Sequence, residues 1–279
     1  MKQIFVNLKR FDVPAELGGV NCLADMSKWA ERIIEDISPE LKRFGDLECT
    51  VFFPEAHLLN ASRAVKSLKS PVMVGCQGVF PEDVASGQNF GAFTTGLPAA
   101  AAMALGCSHA LIGHCEERKA MGSVLAAAGV RDRKSINSVL NKEILCAQSR
   151  GMKVLYCVGE SADEQDNWRQ VIGGQLKLGL ENTDPANVTI GYEPLWSIGP
   201  GKTPAGREYI MRMADYIKDF TGGCRVVYGG GLKAENAAML ASIDAIDGGL
   251  VALTRFSGEI GFYPSEFLEI VRLYMEGKA

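Results

Sequence analysis

The chain has 279 residues, 47% hydrophobic and 22% charged, with a net charge of −4 at pH 7. That length suits a single eight-fold α/β barrel, and the mild acidity leaves no basic footprint for nucleic acid or for an anionic membrane. No run of roughly 18 apolar residues could span a bilayer, the opening MKQIFVNLKRF is too short an apolar run for a secretory signal, and eight cysteines without CxxC spacing read as reduced thiols of a cytoplasmic protein.

In chain order, short and mostly apolar runs fall at 4–8, 49–53, 72–76, 110–112, 154–158, 188–192, 225–228 and 249–252. None alternates, as expected of strands buried on both faces. Amphipathic stretches lie between them. Trp168, Val171, Ile172 and Leu176 share one helical face, as do Ile210, Met213, Ala214 and Ile217. Ser135, ahead of Ile136, Val139 and Leu140, reads as a helix N-cap. The alternation predicts a parallel sheet with right-handed crossovers. Eight such units predict one closed (β/α)8 barrel over 1–279, although an open doubly wound sheet shares the pattern. One connection stands out: about 20 residues follow Cys76 before the next helical stretch, a length usually reserved for function or an interface.

In a parallel barrel, chemistry collects at the C-terminal strand ends. The first run closes on Asn7-Leu8-Lys9, which places Asn7 and Lys9 on one side. The fourth runs into LIGHCEER, with His114 at the start of a helix. A helix N-terminus is a poor place for a further positive charge, so such a histidine suits hydrogen-bond donation to a carbonyl oxygen. The sixth gives Glu193 at a strand end, then Pro194 and a glycine- and proline-punctuated stretch to Thr203, the pattern of a hinged lid. The seventh ends in Gly229-Gly230-Gly231, whose N–H groups can form an anion nest. Each piece also fits a bland role, whether surface lysine, structural histidine, plain loop or ordinary turn. Together they supply a base, an electrophile, a cation and an anion cradle.

NLK, GAFT, LIGHCEER, YEPLWSIGPGKT and YGG, in this order along the chain, resemble the triosephosphate isomerase family, and the resemblance spans nearly the whole chain. It implies a TIM barrel that moves a proton between adjacent carbons of a small phosphorylated sugar through an enediol, with no cofactor and no metal. It assigns Glu193 as base, His114 as neutral electrophile, Lys9 as the cation facing the substrate and Asn7 as its support. This carboxylate–histidine pairing is the family's known acid–base arrangement. Glu116 is expected as a buried acid beside Cys115. Gly199 and Gly231 are expected to give N–H groups to the phosphate. The lid comprises Pro194, Leu195, Trp196, Ile198, Gly201, Lys202 and Thr203. Gln77, Phe93 and Thr94 are expected on a loop that docks into a second subunit of a homodimer.

Departures accompany the resemblance. Leu8 stands where the family has tryptophan, Cys115 where it has serine, Glu117 where it has the first of two arginines, and Gly231 where it has serine. The glycine pair expected after strand eight is Ala252-Leu253, with Arg255 close behind and suited to take over phosphate contacts. The leading expectation is triose phosphate isomerisation. The competing ones are an isomerase of another short phosphosugar such as a tetrulose phosphate, a non-catalytic sugar-phosphate-binding barrel, and a Schiff-base aldolase using Lys9.

Overall fold

The computed structural model describes residues 1–130, 132–199 and 202–277. Eight parallel strands close into a barrel in sequence order: β1 (Lys2–Asn7), β2 (Leu47–Phe53), β3 (Val72–Cys76), β4 (His109–Ile112), β5 (Lys153–Val158), β6 (Val188–Tyr192), β7 (Arg225–Tyr228) and β8 (Gly248–Val251). The closing pair runs from Gln3↔Gly248 to Val6↔Val251. Several strands start earlier than their apolar runs, at Lys2, Leu47, His109 and Lys153. Ladder bonds are made by the backbone, so polar residues at the N-terminal mouth pair as well as apolar ones.

The helices are α1 (Trp29–Leu41), α2 (Leu58–Leu68), α3 (Ala99–Ala104), α4 (Cys115–Ala127), α5 (Lys134–Ser149), α6 (Trp168–Gly179), α7 (Arg207–Thr221), α8 (Ala234–Ala241) and α9 (Pro264–Glu276). The face of Ile210, Met213, Ala214 and Ile217 on α7 is fully buried. Ser135 does not cap α5: the helix starts at Lys134, so Ser135 lies inside its first turn, and Asp132 Oδ1 accepts the Lys134 N–H at 2.9 Å instead. No helix among the described residues is long and apolar enough to cross a membrane.

Two cores stabilise the fold. The larger one fills the space between strands and helices; the smaller one, Phe5, Phe52, Leu111, Leu155, Cys157, Val227 and Leu250, fills the barrel itself. This plug supports the C-terminal mouth from below. The long stretch between β3 and α3 is pinned to the body by Asp83, which ion-pairs with Arg150 and accepts the Ala100 N–H at 3.1 Å. All eight cysteines are unpaired.

Candidate active site

Lys9 follows β1 in a left-handed conformation, φ 40°, which costs a non-glycine residue energy unless its surroundings hold it. They do. Asn7, buried in the barrel mouth, accepts the Lys9 N–H through Oδ1 at 3.0 Å. Gln77 Nε2 donates to Asn7 Oδ1 at 3.2 Å and to the Lys9 carbonyl at 3.0 Å. Gln77 therefore points into its own site rather than outward as a docking residue, because it is the first residue after β3 and its amide reaches the adjacent strand end. The ammonium of Lys9 bonds Glu116 Oε1 at 2.7 Å. Glu116 is not buried: its side chain is 61% exposed, since it lies on the outer side of the first turn of α4. The more enclosed acid of this motif is its half-buried neighbour Glu117, whose Oε2 accepts the Gly113 N–H at 2.6 Å.

His114 is the N-cap of α4, and its Nδ1 accepts the Glu116 N–H at 3.3 Å. A ring that accepts through Nδ1 carries its proton on Nε2. Nε2 lies 3.3 Å from Glu193 Oε1. The residue before His114 is a glycine for two reasons. Gly113 has φ +77°, and a Cβ there would meet the Cys157 carbonyl at 2.9 Å and Arg118 NH2 at 3.1 Å. Arg118 locks the turn from behind, donating to the carbonyls of Gly113 at 2.8 Å and Cys157 at 2.9 Å, to Asn137 Oδ1 at 2.8 Å and to Tyr156 Oη at 3.0 Å.

Glu193 follows β6 and is only 2% exposed. Burial raises its carboxyl above the ordinary carboxylate range, against the pull of His114, the Cys115 N–H, Arg118 and Lys9. The Cys115 N–H donates to its Oε2 at 3.0 Å. The thiol of Cys115 is itself pushed up to about 12 by burial and by Glu193. Gly229 makes room, since a Cβ on it would stand 2.7 Å from Glu193 Cγ. His114, Cys115 and Glu193 each bring a possible ligand atom within 4.8 Å of the others. They do not fit a metal, because Nδ1 already accepts a backbone N–H and Nε2 would meet the ion with its proton.

The lid begins at Pro194, and Leu195–Ser197 form one turn of 3₁₀ helix. Its root is anchored on a residue the sequence reading missed, Glu160. This fully buried carboxylate accepts from Trp196 Nε1 at 2.8 Å, Tyr209 Oη at 2.8 Å and Tyr192 Oη at 3.0 Å. Its signal, a Gly-Glu pair just after strand five, is too common to single out alone. Ile198 is half-buried, and Gly199, Lys202 and Thr203 extend into solvent. Gly201 lies outside the described residues.

Gly231 follows β7, and the Leu232 N–H donates to the Leu250 carbonyl of β8 at 2.9 Å, which brings the two loops together. Ala252 and Leu253 are half-buried at this mouth. Beyond them the chain folds back on itself through an Arg255–Gly261 bridge. The Arg255 guanidinium is committed to Glu266, with Nε at 2.8 Å, and lies over the Tyr263 ring at 3.7 Å. Sequence reasoning also missed Lys233. Its Cε lies 3.7 Å from where a Gly231 Cβ would stand, and its ammonium sits 3.9 Å over the Phe256 ring. Phe93 packs edge-on against Phe80 at 5.4 Å, while Thr94 is exposed and Phe90 is 94% exposed.

A buried carboxylate facing an imidazole N–H, with an ammonium beside them at the mouth of a parallel barrel, belongs to a barrel isomerase. The chain matches the triosephosphate isomerase family model over residues 21–273. It belongs to the triosephosphate isomerase family. It is similar to the triosephosphate isomerase of Thermoanaerobacter pseudethanolicus, 28% identical over 255 residues covering 87% of this chain and 92% of that one. It is also similar to that of Synechococcus sp. strain JA-2-3B'a(2-13), 32% identical over 212 residues and 75% of each chain. The crystal structure of triosephosphate isomerase from Bartonella henselae superposes with a TM-score of 0.71, covering 98% of this chain and 99% of that one at 22% identity, and shares the fold.

Proposed function

We propose that the chain interconverts dihydroxyacetone phosphate and glyceraldehyde 3-phosphate through an enediol. The observation that carries the reading is the pair itself: Glu193 Oε1 and His114 Nε2, both buried, stand 3.3 Å apart. A substrate that replaces this contact, taking each group as its own partner, would lose a carbon-bound proton to Glu193 while its carbonyl oxygen accepts from His114 Nε2. The same groups return the proton to the neighbouring carbon. Lys9, held by Asn7 and Gln77, faces the developing enediolate oxygen and exchanges its Glu116 partner for substrate. The phosphate rests on N–H groups of Gly199 and Gly231 and on the loop of Ala252 and Leu253, with Arg255 a further candidate. Lid closure over residues 194–203 excludes water. The chemistry needs no cofactor and no metal. The working form is a homodimer in the cytoplasm, with Phe90, Phe93 and Thr94 at the contact.

A second reading has one observation in its favour. Ala252-Leu253 and the bridged loop behind them replace the glycine pair expected at the phosphate end, so a longer phosphosugar such as a tetrulose phosphate fits the same chemistry in a reshaped pocket. A coupled assay with glyceraldehyde 3-phosphate, run beside four-carbon ketose and aldose phosphates, separates the two. Triose turnover with higher kcat/KM than any four-carbon substrate is expected; the reverse order replaces the first reading with the second.

A further inference from the structure

The turn that aims His114 rests on a second carboxyl that the proposed chemistry does not use. Glu117, on α4, holds the Gly113 N–H at 2.6 Å, one residue before the imidazole. Behind it Glu143, on α5, is 3% exposed, and Glu117 is the charged neighbour that acts on it most strongly. Glu143 Oε2 is buried without any protein donor. A hydrogen bond between two carboxyl groups requires a proton on one of them. A buried carboxylate beside a half-buried one would be repelled by it, which favours a proton on one of the two.

We propose that Glu117 and Glu143 share one proton and act as a positioning pair for His114. Glu143 donates to Glu117, Glu117 holds the Gly113 N–H, and the clamped turn keeps Nε2 aimed at the reacting oxygen. Charge and burial agree on where the proton resides. Burial, then the neighbouring Glu117, push Glu143 up to about 9, with Arg118 opposing. Burial also raises Glu117, but the Gly113 N–H, Glu143, Arg118 and His114 pull it back, so Glu117 is the acceptor. The other titratable groups facing the pair are Tyr156 and Cys157 from β5 and Cys146 on α5. The inference rests on the reading of His114 as the group that polarises the carbonyl.

The test compares Glu143→Gln with Glu143→Leu. The amide of Gln donates to Glu117 at every pH, whereas Leu leaves Glu117 with no donor. In the wild type, kcat should fall above about pH 9 as the shared proton leaves. Glu143→Gln should keep kcat within about threefold at pH 7.5 and lose that alkaline fall. Glu143→Leu should lose about tenfold or more in kcat at pH 7.5 with KM within about twofold, as expected of a misaimed group. A separate readout needs no substrate. The chain has three histidines, His57, His109 and His114. Ring ¹⁵N signals of His114 should move in Glu143→Leu and return in Glu143→Gln, with those of His57 and His109 unmoved. Wild-type kcat in Glu143→Leu, an unchanged alkaline fall in Glu143→Gln, or unmoved His114 signals would each overturn the pair. Absence of triose turnover in the wild type would count against the proposed function and leave the imidazole readout intact.

Discussion

The mouth of this barrel has two halves built to different standards. At the ends of β4 and β6, Glu193 and His114 are buried and each is held by a backbone N–H, from Cys115 and Glu116 respectively. At the ends of β7 and β8 the chain is half-exposed, the guanidinium of Arg255 is tied to Glu266, and Lys233 rests on an exposed Phe256. The contrast follows from what each half must do. Proton transfer between adjacent carbons tolerates displacements well under an ångström, so the groups that perform it are locked. A phosphate accepts hydrogen bonds from many directions, so its cradle can be rebuilt with different donors. In the first half the chain keeps the family's base and imidazole, with Cys115 and Glu117 changed beside them; in the second it departs at the phosphate loops themselves.

The largest effect belongs to the locked half. Glu193→Gln should lower kcat by at least ~10²-fold with KM little changed, the contribution of a general base. Because burial raises the Glu193 carboxyl, the acid limb of the wild-type kcat/KM profile should lie above the ordinary carboxylate range and vanish in the variant. For stability the sign is the reverse. A raised carboxyl favours the folded state at low pH, so the contribution of Glu193 is lost as pH rises through its folded value. A variant retaining most of its turnover would mean the two halves have been assigned the wrong way round.

The rebuilt half should answer in KM. Lys233→Ala is expected to raise KM by about tenfold or more with a smaller change in kcat, matching loss of one charge-assisted contact of ~1.5–3 kcal/mol. Arg255→Ala should raise KM less, because that guanidinium must leave Glu266 before it can meet a phosphate. Equal effects, or the opposite order, would mean that Lys233 is not the main cation at the phosphate. Smallest of all is Cys115→Ser, which should stay within about threefold of wild type. The contact that Cys115 makes to Glu193 comes from its backbone N–H, and substitution leaves that in place.

Much of this was legible in the residues. The apolar runs located all eight strands, and the spacing of Ile210, Met213, Ala214 and Ile217 marked the buried face of α7, because strand and helix periodicity are local properties of the chain. The strand ends carrying Asn7, Lys9, His114 and Glu193 followed from those runs. Other features were not legible, because nothing local encodes them. Whether Glu116 or Glu117 is the more enclosed acid depends on which side of α4 meets α5, a matter of helix packing rather than motif. Gln77 reads as the start of an outward loop until the neighbouring strand end is seen to lie within reach of its amide. Glu160 is an unremarked acid in sequence, yet three donors converge on it from β6, the lid and α7. The sequence by itself determined the period of each element and the residue types at each strand end. Only closure of the barrel decided which of them meet, since that joins groups more than a hundred residues apart, as it does Lys9 with Glu116.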